Sequence, residues 1–208
     1  MFKRILFIFS FLSLSLLFLY GSIFRSSSVL KYSFTLSAQE ASETQDDVGI
    51  DYVLPYQGKI LPDSPIWFMK VVRDRIQLFF TKDNVKRSEL NLLFSDKRLV
   101  SSKILFEREK PELASSTLEK AEKYLEKAYE EEKTAREDGK DTTNLVLKIA
   151  NASLKHRVEI EEAILPLVPA DLKPEIIKSL DYSKRIYNEL RNALLDVGME
   201  PPNNPFEE

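Results

Sequence analysis

The chain begins with an apolar run and continues as a series of helical patterns. Residues 5–24, ILFIFSFLSLSLLFLYGSIF, carry no charged side chain. A helix of this length is roughly 30 Å long, which matches the hydrocarbon core of a bilayer. The hydrophobic regions of secretory signal peptides are shorter, about 7–15 residues. We therefore predict a signal anchor, a single transmembrane helix within residues 1–25.

The residues that flank this run bear on cleavage and orientation. The best candidate cleavage site, LSA at 36–38, has a bulky Leu at its first position, so an uncleaved anchor is favoured over a cleaved, secreted form. Lys3 and Arg4 precede the run, whereas Arg25 and Lys31 follow it. By the positive-inside rule this slight bias keeps the N-terminus inside. We expect a single-pass protein of the cell membrane with an extracytoplasmic C-terminal domain.

A linker separates the apolar run from the helical patterns. Residues 26–51 are rich in Ser, Thr, Gln and acidic residues, which is typical of a polar linker. Residues 51–61 contain Pro and Gly as helix breakers and predict an extended lead-in. We assign residues 52–198 to a helical domain and residues 199–208, rich in Pro and Asn, to a flexible tail.

Apolar residues at helical spacing predict five helices in the domain. Capping and breaking residues mark their ends, among them Ser64 with Pro65, Asp83, Pro111, Gly139 and Gly198. The predicted helices cover approximately residues 65–80, 84–109, 112–138, 143–166 and 174–197. Long helices joined by short polar turns favour an all-α fold, an antiparallel bundle of four to five helices behind a single N-terminal transmembrane helix.

Two of these helices have distinctive patterns. The first helix has apolar residues on two sides, so we expect neighbouring elements to enclose it. One apolar stripe consists of Ile66, Met69, Val72, Ile76 and Phe79, and the other consists of Trp67, Val71 and Leu78. The third has a narrow apolar seam that Glu132 interrupts, formed by Leu118, Ala121, Leu125, Ala128 and Ala135. Charged residues cover the rest of the third helix, Glu122 among them, and we interpret them as a solvated face.

Charge and composition narrow the possible functions. The chain has 30 basic and 33 acidic residues, and without the four basic residues that flank the apolar run the net charge of residues 32–208 is −7. A domain of that charge should be repelled by nucleic acid and by anionic lipid surfaces. The chain has no Cys, which excludes disulfides and thiolate metal sites, and one His, which excludes multi-histidine metal sites. Its five Gly are scattered, which excludes glycine-rich phosphate loops. We therefore predict no catalytic residue, no metal site and no cofactor.

The sequence YQGKILPDSP at 56–65, followed by WFMK at 67–70 and by long charged helices, resembles a family of bacterial and archaeal domains. These extracytoplasmic helical domains of unknown function begin with an LPDSP-type motif, and some occur in anti-sigma-factor-like membrane proteins. The resemblance covers about residues 52–135 and implies an exported helical module without an assigned activity. Two features differ: two further patterned helices follow, and only four residues precede the apolar run, so we expect no sigma-binding segment.

The individual candidates for chemistry have structural interpretations. His156 lies on an apolar stripe of the fourth helix. A Glu-x-x-His metal motif would require Glu at position 153, where the chain has Ser153. We therefore interpret His156 as a hydrogen-bonded histidine at the edge of the core. The S-x-x-K sequence at 28–31 falls in the linker. We interpret the neighbouring carboxylates at 46–47, 130–132 and 161–162 as side chains on solvated faces. One set of aromatic residues is compatible with a ligand groove, although such residues more often form the core, and an exposed part would be a protein-binding patch. The set is Trp67, Phe68, Phe79, Phe80, Phe94 and Phe106, preceded by Tyr52 and Tyr56.

The main functional hypothesis is a membrane-anchored extracytoplasmic helical module with a non-catalytic protein-binding or scaffolding role. The alternative is an envelope stress or cation-sensing protein in which carboxylates of the third helix bind the ligand. A cell-envelope hydrolase is the third hypothesis, although the sequence offers no paired buried acids for it. The expected partners are the lipid bilayer, through residues 5–24, and an envelope protein or a second copy of the chain, but no nucleic acid.

Overall fold

The structure is a computed structural model, and it describes residues 50–207. The anchor at 1–25 and all of the predicted linker except residues 50 and 51 lie outside this part of the chain. Five α-helices follow one another: α1 (Trp67–Phe80), α2 (Asn84–Glu107), α3 (Pro111–Glu137), α4 (Thr143–Val158) and α5 (Lys173–Asp196). A π-helical turn, Glu159–Ile164, and a 3₁₀ turn, Leu165–Leu167, continue α4.

The all-α prediction is confirmed for the part of the chain that the structure describes, where no strand occurs. The helix bounds agree with the sequence patterns to within about two residues, except that the last two turns of the fourth helix are not α-helical. Within residues 50–207 every helix is too short or too polar to cross a bilayer.

Local signals explain where several helices begin and end. The carboxylate of Asp83 accepts a hydrogen bond from the Lys86 amide at 3.0 Å and so caps α2. Pro111 occupies the first turn of α3, where its missing N–H costs nothing. Gly139 ends α3 with a φ of +79°, a conformation that favours glycine. The prediction that Ser64 caps the first helix is wrong. Instead α1 begins at Trp67, whose amide donates to the backbone carbonyl of Ser64.

The lead-in to α1 has no helix or strand over residues 50–61 and forms turns over residues 62–66, and it contacts the bundle. Leu61 is buried, and the carboxylate of Asp63 accepts hydrogen bonds from Lys110 at 2.7 Å and Arg108 at 3.2 Å. These two residues lie in the turn between α2 and α3, and the hydrogen bond from Lys110 keeps the pKa of Asp63 below its usual value. The motif residues 61–63 therefore attach the start of α1 to the α2–α3 turn.

Small residues bring α2 and α3 close together. Buried serines recur every seven residues on α2, and buried alanines do so on α3. The Ser88 hydroxyl donates to the carbonyl of Ala128 at 2.6 Å, and the Ser95 hydroxyl donates to that of Ala121 at 2.7 Å. A short side chain reaches the opposite backbone only where two helices approach closely. The pairing also shows that α2 and α3 are antiparallel.

The apolar seam predicted for α3 is confirmed, since Leu118, Ala121, Leu125, Ala128 and Ala135 are all buried. Against this seam α5 packs beside α4, and the core divides into two apolar clusters along the bundle. Residues 199–207, predicted as a flexible tail, contact the bundle: the Tyr187 hydroxyl donates to the Pro202 carbonyl at 2.8 Å, and the Arg157 guanidinium lies 3.6 Å from the centroid of the Phe206 ring.

Enlarging the small-residue seam is expected to destabilise the bundle. Ala121→Leu places three additional carbons where α2 and α3 are in contact, and overpacking of this kind costs about 1–3 kcal/mol of unfolding free energy. Chemical unfolding of the full chain, followed by circular dichroism, measures the loss. Lys120→Leu, at an exposed position of the same helix, should stay within about 0.5 kcal/mol of the native chain. Equal unfolding curves for the two variants would contradict a tight seam at Ala121.

Candidate functional site

The first helix turns toward the bundle the side that carries Asp74 together with the partly buried Trp67, Val71 and Leu78. Asp74 is buried, and its carboxylate accepts a hydrogen bond from Arg73 at 2.8 Å and pairs with Arg98 of α2 at 3.7 Å. Arg98 is itself buried, and its guanidinium lies 4.3 Å from the centroid of the Tyr124 ring on α3. On the same helix Lys70 donates to the Gln57 carbonyl at 2.8 Å. Ion pairs and hydrogen bonds therefore hold α1 in place.

The opposite side of α1 is apolar and faces solvent. Four large side chains there are more than half exposed: Phe79 (79%), Phe80 (72%), Phe68 (64%) and Met69 (61%). The Phe79 and Phe80 rings contact each other edge to face, with centroids 5.3 Å apart. We define the α1 outer face as the side chains at helical spacing on this side, namely Ile66, Phe68, Met69, Val72, Ile76, Phe79 and Phe80.

The prediction that neighbouring elements enclose α1 on two sides is wrong. Trp67, Val71 and Leu78 are partly buried, whereas the stripe that includes Met69 and Phe79 is exposed. Asp74 lies on the side of the helix that carries Trp67, and its pairing with Arg98 determines which stripe packs on the bundle. The aromatic set divides accordingly, because Phe94 and Phe106 are core residues and the phenylalanines of α1 are not.

Basic residues border the α1 outer face. Residues 66–82 contain four basic side chains and one acidic side chain, the buried Asp74, whereas residues 83–208 contain 21 basic and 26 acidic ones. Arg75 is exposed at one edge of the apolar stripe, and Arg73 lies at the other edge. Although the domain as a whole has a net negative charge, the α1 region therefore has a net positive charge.

A second feature is a buried polar cluster between α2, α3 and α4. The imidazole of His156 is completely buried, with Nδ1 2.7 Å from a carboxylate oxygen of Glu122 and Nε2 3.0 Å from one of Asp96. The Tyr52 hydroxyl donates to the other oxygen of Asp96 at 2.7 Å. We refer to Tyr52, Asp96, Glu122 and His156 as the His156 cluster.

The electrostatics of the cluster favour a charged imidazole. Burial by itself lowers the pKa of His156, but the charges and hydrogen bonds of Glu122 and Asp96 outweigh burial and raise that pKa to about 9. At neutral pH the ring is therefore an imidazolium that donates from both nitrogens. Burial and the neighbouring Asp96 also raise the pKa of Tyr52 well above its usual value, so Tyr52 remains a neutral donor.

The geometry gives the His156 cluster a structural role. Both ring nitrogens are engaged by carboxylates, so neither is free to bind a metal ion or to exchange a proton with a substrate. His156 and Glu122 are 0% exposed and Asp96 is 3% exposed, which leaves a substrate no access. Residues 50–207 contain no group of three or more His, Asp or Glu side chains arranged to hold a metal ion.

Several acidic residues lie elsewhere than the sequence predicted. We predicted that Glu122 lies on the solvated face of α3 and that Glu132 interrupts the apolar seam, but both side chains are fully buried. Glu132 accepts hydrogen bonds from the Thr142 hydroxyl at 2.6 Å and from Arg136 at 3.1 Å, and so links α3 to the start of α4. The S-x-x-K sequence at 28–31 and the neighbouring carboxylates at 46–47 lie outside the described residues.

One signal for the His156 cluster was present in the sequence. Asp96 is four residues after Leu92 and three before Leu99, so helical spacing places it on the buried stripe of α2. His156 was correctly placed on an apolar stripe. Glu122 directly follows Ala121 of the seam, at a position where periodicity alone does not separate a buried from a solvated side chain.

A small cavity of about 150 Å³ lies between α4, α5 and the C-terminal segment. Ligand pockets usually have volumes of roughly 300–1,000 Å³, so this cavity is too small for a typical organic ligand. Its lining is mostly polar: Ser153, Leu154, Arg157, Ser183, Lys184, Tyr187, Asn188, Asn204 and Glu207. The α1 outer face is therefore the stronger candidate for a functional site.

Comparison with known proteins identifies a family but no activity. Residues 59–166, more than half of the chain, match the family described as Domain of unknown function (DUF5667). The match spans α1 to α4 and the π-helical turn, and so includes the α1 outer face and three members of the His156 cluster. No similar protein was found among curated proteins or among solved structures.

Proposed function

Because the chain belongs to the DUF5667 family, whose function is unknown, we propose a function from its own residues. The protein is a membrane-anchored, extracytoplasmic helical module with a non-catalytic, scaffolding role, and it docks through the α1 outer face. The apolar run at 5–24 supports the membrane anchor. The LPDSP-type segment at 61–65 leads directly into the docking helix, which supports the finer resemblance to extracytoplasmic modules that begin with this motif.

The observation that carries this proposal is that α1 exposes its larger aromatic stripe to solvent and buries a charged residue. A surface helix of a globular protein normally buries its apolar side and exposes its charges. Here the charged Asp74 is 1% exposed, whereas Phe79 and Phe80 are more than 70% exposed. Contiguous apolar patches of this kind mark interaction sites in soluble domains.

The contacts of α1 resist rotation of the helix. Burying Phe79 and Phe80 against the bundle would move Asp74 away from Arg98 and leave the Arg98 guanidinium buried without its carboxylate. Breaking a buried ion pair by removing one partner costs about 3–5 kcal/mol. The exposure of the aromatic side chains is thus built into the packing of α1, which supports a docking role.

Site-specific photo-crosslinking in native membranes tests the proposal. A photoreactive phenylalanine analogue at Phe79 of the full chain should form adducts with whatever covers the α1 outer face. The same analogue at Leu195, an exposed apolar residue of α5, is the matched control. We expect adducts at Phe79 several-fold more abundant than at Leu195.

A second pair of variants makes the crosslinking result specific. Phe68→Ser combined with Met69→Ser alters the same face without touching the crosslinker, and it should reduce the adducts at Phe79. Ile177→Ser, at an exposed position of α5, should leave them unchanged. Equal and low yields at Phe79 and Leu195 would overturn the docking role.

A further inference from the structure

We propose that the surface covered by the α1 outer face is an anionic lipid bilayer, the same bilayer into which residues 5–24 insert. This inference rests on the proposed docking role and names the partner. In it, α1 lies along the membrane surface, with its aromatic side chains among the headgroups and upper acyl chains and its basic side chains at the phosphates.

The composition of α1 matches that of a helix that lies in a membrane interface. Such helices combine an apolar stripe rich in Phe, Trp or Leu with Lys and Arg along its edges. In α1 the stripe extends from Ile66 to Phe80, about 20 Å along the helix axis, with Arg75 at one edge and Arg73 at the other. Long basic side chains at the edges can reach the phosphates while the stripe enters the apolar layer.

Charge favours lipid over a second copy of the chain as the occupant. In an isologous dimer through the α1 outer face, the basic edges of one helix would lie next to those of its partner. Arg75 is exposed at one edge, and Arg73, which also pairs with Asp74, lies at the other, so two facing copies would bring like charges together. An anionic headgroup layer instead complements the same charges.

The order of the chain supports a lipid partner for α1. It is the first helix of the domain, and 42 residues separate it from the apolar run at 5–24. A tether of this kind turns docking into an intramolecular event with a high effective concentration, so that one short helix is sufficient. The expected repulsion from anionic lipid then applies to the more acidic residues 83–208, not to α1.

Quenching of tryptophan by brominated lipid tests the proposal on the full chain. Trp67 is the only tryptophan, so Trp67→Phe with Phe79→Trp moves the single reporter onto the α1 outer face. The matched control carries Trp67→Phe with Leu195→Trp. Both are reconstituted in vesicles of phosphatidylcholine with one quarter phosphatidylglycerol, prepared with and without bromine on the acyl chains.

We expect brominated lipid to quench the reporter at position 79 several-fold more strongly than the reporter at 195. Arg75→Glu, or vesicles of phosphatidylcholine alone, should weaken the quenching at 79, because both remove the attraction between the helix edge and the headgroups. Circular dichroism confirms that each variant is folded. If Phe79→Trp does not fold, Phe68→Trp provides a reporter on the same α1 outer face, about three helical turns away.

Two results would overturn the lipid assignment, and they differ in what they imply for the docking role. Absence of quenching, together with crosslinks from position 79 to a second copy or to another protein, would leave docking intact with a protein partner. Emission typical of a water-exposed indole at position 79, with no crosslink in native membranes, would overturn the lipid assignment and the proposed function together.

Discussion

Replacing His156 by leucine is expected to lower the unfolding free energy of the domain by about 3–5 kcal/mol. The imidazolium is the positive partner shared by Asp96 and Glu122, at 3.0 and 2.7 Å, and all three side chains are buried. Leucine is similar in volume, so the loss comes mainly from leaving two carboxylates in the core without a counter-charge. Chemical unfolding of the full chain, followed by circular dichroism, measures the effect.

Two comparisons separate the loss of charge from other effects of the substitution. Asn144→Leu introduces the same side chain at an exposed position of α4 and should stay within about 0.5 kcal/mol of the native chain. His156→Leu combined with Asp96→Asn and Glu122→Gln should recover part of the stability, since the buried groups are then neutral. If His156→Leu alone were as stable as the Asn144→Leu control, the His156 cluster would not support the fold.

The second large effect is a loss of stability at alkaline pH. The pKa of His156 rises from 6.5 to about 9 on folding, so its contribution is fully present below pH 6.5 and disappears as the pH rises through about 9. A shift of this size corresponds to about 3 kcal/mol. Lys70 acts in the opposite direction, because burial lowers its pKa to about 8 and the resulting penalty is relieved as the pH rises.

The measurement therefore has to isolate His156. The chain has one histidine, so the imidazole resonances in a nuclear magnetic resonance titration need no assignment. They should be unchanged through pH 6.5 and should titrate near pH 9. The difference in unfolding free energy between the native chain and His156→Leu should shrink over the same range, since Lys70 contributes equally to both. Titration of the histidine near pH 6.5 would contradict the doubly paired imidazolium.

Much of the fold could be predicted from the sequence because short-range rules govern it. The bounds of α2 follow from Asp83 at its start, and those of α3 from Pro111 and Gly139. Leu92 and Leu99 recur at a spacing that keeps them on one side of a helix, and both are buried. The transitions after Val158 were missed, since the π-helical turn at 159–164 has no distinctive residue pattern.

The functional features were harder to predict because they depend on contacts between distant residues. Glu122 and Asp96 are separated from His156 by 34 and 60 positions, and periodicity does not show that three helices bring them together. The orientation of α1 depends similarly on Asp74 meeting Arg98. With apolar residues on two sides, the sequence of α1 was compatible with either side facing the bundle.

By itself, the sequence determined that this domain is helical, where α2 and α3 begin and end, and which residues form the seam of α3. It also determined that an uncharged run of membrane-spanning length precedes the domain. The tertiary structure alone decided that a histidine and two acids are buried as one charged cluster, and that α1 exposes its aromatic side. The reason is physical: helix propensity and capping act within a few residues, whereas the burial of a charge depends on a counter-charge that another helix supplies.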